Sequence, residues 1–309
     1  MVDLDTLASL DGLLWLQTGE EVARRFELSQ SSVSRNARRC IALFELRLQK
    51  LESEWDLSAD DPILAAERQV HQLARWQQRR PLRLEAAYWS GPLLATPAPD
   101  GWMAGRNNIV GISRNLELLR QRIIDAWLTG LPDVPDADDP DFISLPLSTM
   151  PVHCVVQADH PLLRQPQLGF EDLAAYPSLA LPPGAYPRVE AALRRLGLWT
   201  SPVRMQRYDQ SRWEGKTEAE LTIGYATALS LMVAGQGMQR LPLQLPISSG
   251  DALVVRREFA GSDRLRQLHH TLLERLRPLA ARHPEIEVIE PAAVSGSSGT
   301  AAAPPHPGP

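Results

Sequence analysis

Apolar positions in the first forty or so residues recur every three or four places, in three short runs. Leu7, Leu10, Leu13 and Leu14 put an apolar face on a helix over 5–18. In the stretch 19–39, Val22, Ala23 and Phe26 give a short helix its buried side, and Leu28 plugs the turn that follows. Ser29 then suits an N-cap, because its hydroxyl can accept from an orphan backbone N–H of a helix over 30 to about 43. Val33 and Ala37, four apart, face inward on that helix and leave Gln30, Ser31, Ser34, Arg35 and Arg38 outward. Two short helices and a tight turn, the second presenting Gln, Ser and Arg near its start, suit a reader of the DNA major groove.

A second helical pattern begins at Asp61-Pro62, a capping residue followed by proline at the first helical position. Ile63, Ala66, Val70, Leu73 and Trp76 step by three or four toward Arg80, the seam of a linker helix that either pairs with a second subunit or packs on its own chain. From Leu82 the pattern changes to alternating strands and helices. Strands are expected at 82–86, 108–113, 152–157, 178–181, 203–208, 221–225 and 253–256. Helices are expected from Leu116 through Leu119 and Ile123 to Trp127, over 187–196 before Gly197, between the strands at 203–208 and 221–225, and from Ser262 to about Ala281. A helical turn is expected at 168–173. Such alternation indicates an α/β fold with largely parallel sheets. The stretch from Val294 carries no charge and is rich in Ala, Ser, Gly and Pro, the composition of a disordered tail.

With 309 residues the chain can hold two or three domains. Its net charge of −5 argues against wholesale coating of nucleic acid but leaves a local contact surface open. Over residues 1–60 acidic side chains outnumber basic ones, and the positive charge concentrates at Arg24, Arg25, Arg35, Arg38 and Arg39. Two cysteines far apart, Cys40 and Cys154, exclude a disulfide framework. No apolar run approaches a membrane span and the acidic start is unlike a signal peptide, so a cytoplasmic location is expected.

No set of residues holds together as a catalytic or metal site, and no cofactor is implied. His153 and Cys154, adjacent on a strand, point to opposite faces. His269 and His270 diverge on a helix. Gly235-Gln236-Gly237 lacks the strand-to-helix setting of a dinucleotide loop, and the carboxylates of 133–141 read as a solvated loop. The chain is not expected to be an enzyme.

Val22-Ala23, Phe26, Leu28-Ser29-Gln30, Val33-Ser34-Arg35 and Arg38-Arg39 resemble the helix-turn-helix of the LysR-type transcriptional regulators. VHCVVQADHPL, residues 152–162, resembles the family's strand ending in His-Pro-Leu. Residues 168–173 resemble its following Leu-x-Asp-Leu turn, and 231–242 is a weaker match to its Val-Ala-Gly-x-Gly segment. The chain departs from the family in the wing. A usual glycine, phenylalanine and arginine are Glu45, Gln49 and Leu51 here, and the tip reads Glu52-Ser53-Glu54-Trp55-Asp56. Acidic groups beside phosphates repel, so weaker backbone affinity is expected. The stretches 88–108 and 208–221 look shorter than usual.

The resemblance implies an N-terminal all-α winged helix-turn-helix over 1–60, a linker and dimerisation helix over 61–80, and an α/β two-subdomain effector-binding domain over 81–290, like periplasmic binding proteins. The second subdomain is inserted at about 160–225, and a disordered tail covers 291–309. The implied function is a DNA-binding transcriptional regulator controlled by a small effector. The alternative is a metabolite-sensing or protein-interaction module of the same fold whose DNA binding is weakened or lost. Gln30, Ser31, Ser34, Arg35, Arg38 and Arg39 are the candidate DNA contacts. Ser90, Ser113, Arg114, Thr149 and Tyr225, at strand ends facing a crevice, are the candidate effector contacts, suited to a small carboxylate. The expected partners are double-stranded DNA, that effector, further copies in a homodimer or homotetramer, and RNA polymerase.

Overall fold

Three helices lead the chain: α1 (Leu4–Leu16), α2 (Gly19–Arg25) and α3 (Gln30–Leu43). Asp3 caps α1 by accepting from Asp5 and Thr6 N–H. Ser29 caps α3, accepting from Ser32 N at 3.1 Å. A two-stranded antiparallel hairpin, β1 (Leu48–Leu51) and β2 (Glu54–Leu57), forms the wing. This computed structural model describes residues 2–51, 54–77, 80–209, 212–213, 221–234 and 237–291. The wing-tip residues Glu52 and Ser53, most of the helix expected after Tyr208, Gly235 and Gln236, and the expected tail lie outside the described residues.

Helix α4 (Pro62–Trp76) starts at Asp61, whose carboxylate accepts from Leu64 N at 2.6 Å. Its packing inverts the usual amphipathic pattern. Leu64, Arg68, His71, Gln72, Arg75 and Trp76 are buried on the same chain, whereas Ile63, Ala66, Val70 and Leu73 of the expected seam face outward. Trp76 alone of that seam turns inward, stacked on Phe259 at 4.4 Å and edge-on to Trp102 at 5.9 Å.

The remaining chain runs β3 (Leu82–Ala86), β4 (Trp102–Ala104), α5 (Ser113–Arg120), β5 (Ala126–Leu131), β6 (Phe142–Pro146) and β7 (Ser148–Gln157). It continues through α6 (Phe170–Leu173), β8 (Leu179–Ala180), α7 (Pro187–Arg195), β9 (Ser201–Pro202), β10 (Gly224–Ala226) and α8 (Ala228–Val233). It closes with β11 (Met238–Arg256), α9 (Asp263–Arg282) and β12 (Glu287–Val288). The main sheet is ordered β10-β7-β11-β5-β3-β4, with β6 also on β11 and β12 on β7. β7 leads from the first subdomain into the second and β11 returns, so the chain crosses twice. Leu265, Leu268, Leu272, Leu276 and Leu279 of α9 are buried against the first subdomain.

Several expectations need correcting. The sheet is not largely parallel: β3 pairs parallel with β4 and β5, but β11 is antiparallel to β5, β6 and β7. Pairing across roughly eighty residues or more leaves no local mark in the pattern. The strand expected at 108–113 is a turn. Ile109 makes a single bridge to Arg207, Gly111 sits at φ +87°, and β4 is the parallel partner instead. The stripe Leu116–Leu119–Ile123–Trp127 spans two elements. Helix α5 stops at Arg120, Arg122 takes the left-handed φ of +61°, and Trp127 belongs to β5. These residues share a core without sharing a helix. Residues 203–208 form no strand beyond the Arg207 bridge, because pairing in this segment falls at Ser201–Pro202. Gly197, at φ +76°, ends α7 as its position suggested.

The helical region and the first subdomain share one core, in which Leu7, Leu14 and Val33 join Leu118, Ile123 and Trp127. Charged groups seal the same boundary. Arg68 Nε donates to Asp11 Oδ1 at 2.9 Å, and Arg75 grips Asp125 at two points. Trp15 Nε1 donates to the buried Glu85, whose carboxyl burial pushes above its ordinary pKa. Arg25 donates to the carbonyls of Ala104 and Gly105 at 2.8 and 2.9 Å. The helical region is therefore seated on its own α/β domain.

Candidate functional site

Two surfaces carry the chemistry. On α3, Val33, Ala37 and Cys40 are buried, and Gln30, Ser31, Ser34, Arg35, Arg38 and Arg39 are all exposed on the outer side. Arg35 is steadied by donating to Ser32 Oγ at 3.1 Å. The helix points its N-terminal polar groups outward because its apolar positions dock on α1 and α2. Arg24 and Arg25 do not extend this face: Arg24 pairs with Glu21, and Arg25 pairs with Glu21 and the β4 carbonyls.

The wing is less acidic toward solvent than its sequence suggests. Glu54 pairs with Arg207 and lies 3.6 Å from Arg114 Nε, and Asp56 lies 3.6 Å from Arg114 NH1. These carboxylates face the α/β domain. Arg47 and Lys50 remain exposed, with Lys50 Nζ 4.9 Å above the Trp55 ring.

Between the two subdomains lies a cleft of about 120 Å³. Its walls are mainly aromatic and aliphatic: Tyr88, Trp89, Tyr186, Trp199, Trp213 and Tyr225 meet Leu131, Val152, Leu181, Val189 and Ile247. Tyr88 stacks on Tyr208 at 3.6 Å, and Trp89 approaches Tyr186 at 6.0 Å. Trp89 fits because position 130 is glycine. A Cβ there would stand 2.6 Å from the indole. Several polar groups of the wall have partners inside the protein. Thr227 and Ser230 cap each other at the start of α8, Ser249 Oγ donates to Leu131 O at 3.0 Å, and Tyr225 Oη accepts from Trp199 N at 3.1 Å.

Two buried carboxylates adjoin this cleft. Asp133, in the wall, accepts from the N–H groups of Arg188 and Val189 at 2.8 and 3.0 Å, the first turn of α7. Burial raises its pKa, and these two bonds act against that rise. Asp251 is fully enclosed and pushed up to about 6 by burial. Ser148 Oγ donates to it at 3.1 Å, and the side chains of Trp89 and Ser90 face it.

Of the candidate effector contacts, only Tyr225 lies in the cleft wall. Ser90 is completely buried and turned toward Asp251. Ser113 is exposed at the start of α5. Arg114 donates to Leu14 O and Trp55 O at 2.9 and 3.1 Å, tying the helical region to α5. Thr149 lines a separate groove and sits 3.3 Å from Glu287. The direction of each side chain depends on pairing that the local sequence does not reveal. The missed wall residues, above all Trp89, Tyr186 and Trp199, carried only an aromatic signal that a core would carry equally.

The minor candidates have structural roles. His153 Nε2 meets Glu285 at 3.0 Å, while Cys154 points into the core, where burial pushes its thiol up to about 12. His160 bonds Leu221 O at 3.0 Å. Among the described residues no cluster of His, Cys, Asp and Glu could hold a metal, and no helix is long and apolar enough to cross a membrane.

The family model described as the LysR substrate binding domain matches residues 112–277, more than half of the chain. Its match opens at Ile112, leaving β3 and β4 outside. A full-length OxyR variant from Pseudomonas aeruginosa is similar in structure with a TM-score of 0.53 at 19% identity, covering 88% of this chain and 95% of that one. An OxyR variant from Corynebacterium glutamicum gives 0.51 at 15% identity over 91% and 94% of the two chains. A full-length BenM variant gives 0.50 at 17% over 93% and 99%. At these identities the likeness is one of fold. Comparison with the curated proteins finds no match.

Proposed function

Because the chain belongs to the family of LysR-type regulators, we propose that it is a dimeric or tetrameric DNA-binding transcriptional regulator that responds to a small molecule in its inter-subdomain cleft. The observation that carries this reading is the exposed polar and basic face of α3, held on the same chain as a cleft domain. Arg35, Ser31, Ser34 and Gln30 would reach base edges, and Arg38 and Arg39 phosphates. A ligand closing the cleft would change how the subdomains sit, and the shared core would pass that change to the reading head.

The outward stripe Ile63, Ala66, Val70 and Leu73 supports pairing of two copies through α4, since four apolar side chains are left in water by the folded chain. The alternative, a sensor whose DNA binding has decayed, drew on the acidic wing. The pairing of Glu54 and Asp56 with arginines of the α/β domain weakens that argument.

The test is an anisotropy titration of the full chain on DNA from upstream of its own coding region, over a range of salt. Affinity that falls steeply with salt, and is greater for that DNA than for a scrambled duplex, is the expected outcome. Binding absent even at low salt would leave the sensor reading in its place.

A further inference from the structure

On the premise that the cleft is the effector site, we propose that its ligand is a small, uncharged, ring-sized molecule, and that carboxylates are excluded by two carboxylates of the chain itself. An anion needs one of three things in such a site: a cation, a free helix N-terminus or a cluster of free donors. Among the described residues no lysine, arginine or histidine lines the cleft. The N-terminus of α7, the nine-residue helix at its wall, already holds Asp133 on the N–H groups of Arg188 and Val189. The donors at the end of β3 and the start of β7 are turned the same way: Ser148 donates to Asp251, and Trp89 and Ser90 face it. Each place where a ligand carboxylate would settle is filled from within, and an incoming anion would meet a like charge in a poorly solvated wall.

What remains is shaped for an apolar body. Trp89, Tyr186, Trp199, Trp213 and Tyr225 surround a space of about 120 Å³, and apolar cavities of about 150 Å³ accept a single benzene ring.

The experiment is isothermal titration calorimetry of the full chain with benzamide and with benzoate, which match in ring and planar head group and differ in charge. Saturable binding of benzamide is expected, with benzoate at least about tenfold weaker. Val189→Trp, which fills the cleft, should abolish binding. Ser249→Arg places a cation on the half-exposed wall and should turn the preference toward benzoate. Asp133→Asn, read alongside it, should narrow the gap. Benzoate binding as tightly as benzamide, and lost in Val189→Trp, overturns the ligand class and leaves the cleft as the effector site. Binding unmoved by Val189→Trp removes the site reading as well. No saturable benzamide binding, or no change of preference in Ser249→Arg, overturns the proposal.

Discussion

Arg75 and Asp125 form a two-point ion pair shut away from solvent, with Nε to Oδ2 at 2.8 Å and NH2 to Oδ1 at 3.0 Å. One partner belongs to the linker helix and the other to the turn before β5, so the bond fixes the helical region on the α/β domain. Asp125 also accepts from Gln72 Nε2 and Arg83 N at 3.0 and 2.9 Å, which satisfies the lone pairs that burial would otherwise strand. Removing one partner of such a pair leaves an uncompensated buried charge. Asp125→Ala should therefore cost about 3–5 kcal/mol, read from urea unfolding of the full chain. A loss below about 1 kcal/mol would show that the pair is solvated in solution.

Asp251 gives a stability signal with a definite sign. Its carboxyl is raised from 3.8 to about 6 by burial, so the folded state holds a proton that the unfolded state releases. Its contribution is fully present below the unfolded pKa and is lost as pH rises through the folded one, between about pH 4 and 6. Asp251→Asn keeps the shape without the charge. The variant should gain on wild type by about 1–3 kcal/mol on going from pH 4 to pH 8. Comparing urea midpoints of the two proteins at both pH values isolates this group from all others. A constant difference would contradict the assignment.

Arg35→Ala should weaken specific DNA binding by about 1–3 kcal/mol if the guanidinium reads a base. A phosphate contact would instead lower affinity equally on all sequences and reduce the salt slope by about one. Affinity equal to wild type would refute both roles.

The wing separates two views of its acidic residues. Glu54 faces Arg207 and Arg114, so Glu54→Gln should leave DNA affinity unchanged within about twofold while costing about 1 kcal/mol of stability. Lys50→Ala, on the outward strand, should lower the salt slope by about one. A marked rise in DNA affinity for Glu54→Gln would mean that the glutamate meets phosphate after all.

Val70 lies on the outward side of α4 and is 47% exposed. Val70→Asp should leave unfolding of the single chain within about 0.5 kcal/mol of wild type yet convert the oligomer to a smaller species in sedimentation velocity. An unchanged sedimentation coefficient would place the subunit contact elsewhere.

Local chemistry determined much of this protein in advance. Asp3, Ser29 and Asp61 each cap the helix that follows them, because a side-chain oxygen one step before a helix finds the same orphan N–H in any fold. The outward face of α3 and the buried stripe of α9 were legible for the same reason: they depend on spacing within one element. Tertiary structure decided the rest. It made β11 antiparallel across the sheet, split the Leu116 to Trp127 stripe between a helix and a strand, and turned the polar side of α4 inward. It also moved Ser90 and Arg114 out of the cleft's reach and brought Trp89, Tyr186 and Trp199 into its wall. Those outcomes rest on contacts between residues far apart in the chain. A buried arginine or an aromatic wall reads the same as a surface arginine or a core aromatic until its distant partner is in place.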